Sequence, residues 1–179
     1  MRVFAVAIFG LVLSACQSMV AAGRGIDVIY VPTPYATVEA MLTLAEVGPG
    51  DVVYDLGSGD GRIPIEAARR FGARGVGIEI SPTRIAEARA NAKAAGVADL
   101  VRFRRQDLFV ADVREASVVT LYLLPELNER LKPRLLRELR PGARIVSHVW
   151  DMGAWKPEKT VSVAEGFQIY LWRVPVRTP

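Results

Sequence analysis

The chain has little from which to build a metal centre or a disulfide. Among 179 residues there is one cysteine, Cys16, and one histidine, His148. An intrachain disulfide needs two cysteines, and structural metal sites draw on clusters of Cys and His. The sequence therefore predicts no disulfide and no metal. It also lacks internal repeats and low-complexity tracts. Neither sign of charge dominates: 23 Lys and Arg face 19 Asp and Glu, a net charge of +4. The arginines are scattered rather than stacked in one run, so nucleic acid is not predicted as a partner. What is plentiful is apolar. Half of the chain (51%) is hydrophobic and 23% is charged, which suits one domain with a full core.

The first residues stand apart. Met1-Arg2 precedes an apolar run at 3–13 that is too short for a comfortable membrane span. The run ends in Leu13-Ser14-Ala15-Cys16, which resembles the lipobox of bacterial lipoproteins. Residues 1–16 are expected to be a signal or anchor, 17–27 a tether, and 28–179 the folded domain. The expectation is membrane association through this segment. An uncleaved anchor with the domain in the cytoplasm, or a true start at Met19, are the alternatives.

Beyond the tether, strand and helix patterns alternate. Val38, Met41, Leu42 and Ala45 form one apolar helix stripe, ended by Gly48-Pro49-Gly50. Strands are expected at 52–56, 75–80, 100–105, 117–123 and 144–149, the fourth being the most apolar and central. Helices are expected at 62–71, from Pro82 behind the N-cap Ser81, and at 125–139, where Pro133 should split or kink the helix. Two β-like runs, 160–164 and 167–174, read as a terminal hairpin. The fold class is α/β: a doubly wound sheet with an antiparallel strand at its end.

The chemistry concentrates in VVYDLGSGDG at 52–61. A strand ends on Asp55 and enters Gly57-Ser58-Gly59-Asp60-Gly61, which opens onto a helix. The glycines permit a sharp turn and close approach of a ligand. The spacing is GxGxG, not the GxGxxG of dinucleotide sites. Carboxylates bracket it, which suits an ammonium, a sulfonium or ribose hydroxyls better than a pyrophosphate. S-adenosyl-L-methionine carries all three. Two further acids fall at strand ends. Glu79 offers two acceptor oxygens to two ribose hydroxyls. Asp107 suits an adenine amino group, with the Leu108 N–H facing the ring.

These residues carry a resemblance. With YVPTP at 30–34, VYDLGSGDGRI at 53–63, GIE at 77–79, VTLYLLP at 119–125, SHVW at 147–150 and YLW at 170–172, the chain resembles class I S-adenosylmethionine-dependent methyltransferases. More narrowly, it resembles the small lysine methyltransferases related to the mitochondrial enzymes that modify the ATP synthase c-subunit and the adenine nucleotide translocator, and their archaeal broad-specificity relatives. The likeness spans residues 28–174. It implies a seven-stranded sheet with the last strand antiparallel, N-methylation of protein lysines, and cofactor contacts from Tyr30, Pro32, Thr33 and the loop 57–61. It also implies that 120–125 lines the acceptor channel. Tyr122, at the end of the central strand, can place its ring beside the transferring methyl or hydrogen-bond an incoming amine; a buried tyrosine with a satisfied hydroxyl is the alternative. A small-molecule or lipid-precursor acceptor, and a lipoprotein that keeps only the fold, are the alternatives. No general base is expected, because a lysine amine can lose its proton to water. His148 reads as structural, with a position facing the site as the alternative.

Overall fold

The computed structural model describes residues 31–176. Tyr30 and the whole N-terminal segment, with its proposed lipobox and tether, lie outside the described residues. A seven-stranded sheet runs in the order β3-β2-β1-β4-β5-β7-β6. Its strands are β1 (Val52–Leu56), β2 (Arg74–Glu79), β3 (Val101–Arg105), β4 (Val118–Leu121), β5 (Arg144–His148), β6 (Lys159–Ser162) and β7 (Gln168–Arg173). Neighbours from β3 to β5 pair parallel. β7 inserts between β5 and β6 and is antiparallel to both. The last strand thus runs against all the others, as expected. β4 is central and buried along its length.

One face of the sheet carries α1 (Tyr35–Leu44), α2 (Arg62–Phe71) and α3 (Pro82–Ala94). Val38, Met41 and Leu42 of α1 pack with Ile63 and Ala67 of α2 against Val53, Val118 and Val146. The side chains of Ile85, Ala88 and Ala92 bury α3 against Val101 and Phe103. α4 (Pro125–Glu138) covers the other face. Its leucines recur every four residues, and Leu127, Leu131, Leu135 and Leu139 are all buried beside Ile145 and Trp172. Pro133 does not split this helix. It stands on the exposed face, where a carbonyl robbed of its donor can turn to water, and the leucine stripe holds the helix down.

Helix boundaries follow local chemistry. The Ser81 hydroxyl accepts from the Arg84 N–H, and Pro82 occupies the first turn. Past the end of α3, Gly96 takes a φ of 70°, the left-handed cap that glycine accepts without strain. Chain order reverses between β1 and β4, which is where ligands bind in open α/β sheets.

Candidate active site

At that switch point the glycine loop joins β1 to α2. Gly57, Gly59 and Gly61 have φ values of 91°, 51° and 81°. At Gly61 a Cβ would lie 2.5 Å from the Phe103 ring, so both conformation and space demand glycine. The N–H groups of Gly57 and Ser58 donate to the Ile78 carbonyl at 2.9 and 3.0 Å. This ties the loop to β2. The Ser58 side chain is buried with no hydrogen-bond partner among the described residues. It lies against Gly77, where a Cβ would come within 2.5 Å of its Oγ.

The four acids occupy different places. Asp55 is 5% exposed and accepts from the Thr120 hydroxyl at 2.8 Å. Burial pushes its pKa up to about 7 against that hydrogen bond, and the charges of Asp60 and Glu79 push the same way. Glu79 accepts from the Gly59 N–H at 3.0 Å and the Ser81 N–H at 2.8 Å, one on each oxygen. Each oxygen retains a lone pair for a ribose hydroxyl. Asp107 is exposed and caps its own turn through the Phe109 N–H at 2.8 Å. Leu108 is half-buried beside it. Asp55, Asp60 and Glu79 thus stand together around one loop, with Asp107 on a turn of its own.

Asp60 is spent differently. Both of its oxygens are engaged by Arg62, the closest contact being 2.6 Å. Arg62 also donates to the Thr33 carbonyl at 2.7 Å and lies 5.0 Å from the Tyr35 ring centre. The pair latches the segment carrying Pro32 and Thr33 onto the glycine loop. Thr33 is buried and Pro32 exposed. The Asn91 side chain, reaching from α3, supports the same loop through the Asp60 carbonyl at 3.0 Å. The sequence reading placed Thr120 in the acceptor channel and Arg62 in the loop motif, but not their bonds to Asp55 and Asp60. Arg62 had a signal, since it follows the loop directly.

Past β4 the character changes. Tyr122 is half-buried, and its ring centre lies 4.3 Å from that of His148. Phe167 stands edge-on to His148 at 5.9 Å. His148 is buried, and burial lowers its pKa from the ordinary value. Asn128 of α4 bridges to Ser147 and to the carbonyls of Trp150 and Asp151 at 3.2–3.3 Å. It holds down the turn in which Val149 adopts a φ of 69°.

A family model described as the ANTKMT methyltransferase domain matches residues 55–159, which takes in this loop, the acids, Tyr122 and His148. The chain belongs to that methyltransferase family. A protein-lysine N-methyltransferase of Saccharolobus islandicus is 46% identical over 76% of this chain and 86% of its own length. The mouse adenine nucleotide translocase lysine N-methyltransferase is 37% identical over 76% of this chain. The chain spans 59% of that enzyme. A Salinibacter ruber structure described as an RNA methyltransferase, with S-adenosyl-L-homocysteine bound, is 59% identical with a TM-score of 0.81. The match covers 83% of this chain and 97% of that one.

The enzyme is an S-adenosylmethionine-dependent methyltransferase. Its residues fit the cofactor. The left-handed glycines would make a backbone cradle, Glu79 would offer its two oxygens to ribose hydroxyls, and buried Asp55 would gain most from a nearby cation. Asp107 and Leu108 would take the adenine. When bound, the cofactor supplies a methyl group activated by its sulfonium. The protein supplies orientation and electrostatics.

Proposed function

We propose that this methyltransferase N-methylates lysine side chains of protein. The observation that carries the reading is the ring-lined acceptor edge of β4, β5 and β7, where Tyr122, His148 and Phe167 meet. An apolar wall favours a neutral amine over an ammonium ion, and a lysine brings that amine on a long apolar stalk. The Saccharolobus and mouse relatives named for lysine methylation support it.

A second reading is RNA methylation, favoured by the description of the Salinibacter structure and by the exposed arginines Arg102, Arg104 and Arg105 of β3. That strand is at the opposite end of the sheet from β5 and β7. An RNA held there would have to cross the cofactor loop to reach the rings. The test is labelled-methyl transfer into a cell extract, with protein, RNA and lipid counts separated and methyl-lysine identified after hydrolysis. Counts in methyl-lysine support the proposal. Counts confined to RNA or lipid reject it.

We also propose that residues 1–16 attach the domain to a membrane, with 17–27 as tether. Support comes from the apolar run and its Leu-Ser-Ala-Cys close. Among the described residues no helix is long and apolar enough to cross a membrane, so attachment would rest on this segment. Mass spectrometry of the mature N-terminus decides it. An acylated Cys16 gives a lipoprotein, an intact Met1 an uncleaved anchor, and a start at Met19 ends the proposal.

A further inference from the structure

Resting on the lysine reading above, we propose that His148 is the proton acceptor for the substrate amine. Its ring is 1% exposed, and neither ring nitrogen has a hydrogen-bond partner among the described residues. Burying two polar nitrogens unpaired costs stability that a phenylalanine would not cost. A polar task at this position accounts for the cost.

The register puts the ring in the right place. β4 pairs with β5 so that Thr120 faces Val146 and Leu121 faces Ser147. Tyr122 therefore stands beside His148, and both share a face with Thr120 and, one strand further, its partner Asp55. A row of side chains runs along the carboxyl edge of the sheet, from the acids around the glycine loop to the rings. Asp55 and Thr120 are hydrogen-bonded at 2.8 Å, and the ring centres of Tyr122 and His148 lie 4.3 Å apart. In this proposal the acceptor amine approaches the cofactor along this row, past His148.

Among the described residues no charge holds the imidazole. From β4 the facing titratable group is Tyr122. Phe167 precedes β7, which contributes Ile169, and α1 packs Val38, Met41 and Leu42 on this face. In the turn that follows, Asp151 directs its carboxylate to the Gly153 N–H. Burial alone lowers the imidazole pKa. The ring is thus neutral at physiological pH, with one nitrogen ready to accept. The same apolar wall lowers the pKa of an entering ammonium, which brings donor and acceptor into range of each other.

The step balances. One ammonium N–H bond breaks and an N–H bond forms on the imidazole. The freed lone pair attacks the methyl carbon. A C–N bond forms as the C–S bond breaks, and the C–S electron pair stays on sulfur as a thioether. The imidazolium then returns its proton to water.

Because the chain has a single histidine, protein freed of any purification tag gives one imidazole signal. The probe is n-butylamine added to enzyme saturated with S-adenosylhomocysteine. The ¹⁵N resonance of one ring nitrogen is expected to move to a hydrogen-bonded position. In parallel, H148F and H148Q are assayed for methyl-lysine formation in mixed host protein across pH. Both variants should bind S-adenosylhomocysteine normally and slow by roughly 100-fold. Their residual rate should climb about tenfold per pH unit towards the lysine pKa, whereas the wild-type rate levels off near neutrality. An unmoved ¹⁵N signal, or a variant with the wild-type rate and pH profile on lysine, overturns the role of His148 alone. Wild-type enzyme that labels something other than lysine overturns both readings together.

Discussion

The two halves of the site are held by different forces. On the β1–β2 side, every acid except Asp107 is buried or half-buried, and each accepts a hydrogen bond within its own loop or from a neighbouring strand. On the β4–β5–β7 side the contacts are between rings, and polar atoms are left over: both nitrogens of His148 and the Asn128 Oδ1 have no partner among the described residues. The carboxylates of the first half are held before a ligand arrives, although its Ser58 Oγ also has no partner among the described residues; held acids suit a cofactor that is the same in every turnover. A half with polar atoms to spare gains most from an incoming polar group, which suits an acceptor that comes and goes.

The comparison breaks most completely at Gly61. Replacing it with alanine forces a side chain into left-handed backbone, at about 1–2 kcal/mol. The same change drives a Cβ to 2.5 Å from the Phe103 ring, and overpacking adds about 1–3 kcal/mol. Thermal unfolding should show a clear loss of stability, and cofactor binding should weaken. A Gly48→Ala control, at a turn where a Cβ meets nothing within 4 Å, should leave both nearly unchanged. Next comes Glu79→Ala. It removes two acceptors for ribose and also frees the Gly59 and Ser81 N–H groups. Titration calorimetry should give a loss of about 2–3 kcal/mol in cofactor affinity. Unchanged affinity would remove Glu79 from the cofactor site.

Asp55 gives the pH signature of the polar half. Its pKa is raised by burial to about 7, above its unfolded value near 4. Below about pH 4 the carboxyl is protonated in both states and costs nothing. Between those values the folded protein keeps a proton that the unfolded chain releases, so stability falls as pH rises through this window. The unliganded protein should therefore lose thermal stability between about pH 4 and pH 7, and Asp55→Asn should flatten that slope. A cationic cofactor favours the ionised carboxyl. The affinity for S-adenosylmethionine relative to its neutral product should then rise as pH passes about 7 in the wild type. The ratio should stay flat in the variant.

The polar half was largely legible in the sequence because its logic is local. Strand, acid and glycine spacing fall within ten residues, and α2 starts and stops where its glycines predict. Glu79 was legible because it ends a strand, whatever it pairs with. The ring half was not, because its contacts join strands far apart in sequence. Nothing around Tyr122 announces His148, 26 residues later, since the register of β4 on β5 creates that contact. Asn128 reads as an ordinary helix residue until its reach to Trp150 and Asp151 is seen. Pro133 was misleading for the opposite reason: local chemistry argues for a break, and the buried leucine stripe overrides it.

The gentlest probe separates ring from hydroxyl on the acceptor side. Tyr122→Phe keeps the ring stacked 4.3 Å from His148 and removes one oxygen. Nothing on the polar half touches that oxygen, so cofactor affinity and thermal stability should stay as they are. If the hydroxyl accepts or donates to the incoming amine, a neutral hydrogen bond worth about 1 kcal/mol is lost. That appears as roughly a fivefold fall in kcat/KM for the acceptor. Tyr122→Ala, which removes the ring as well, should fall further and expose one face of His148. A Tyr122→Phe enzyme with full kcat/KM would reduce Tyr122 to a wall of the channel and leave the polar role on the acceptor side to His148.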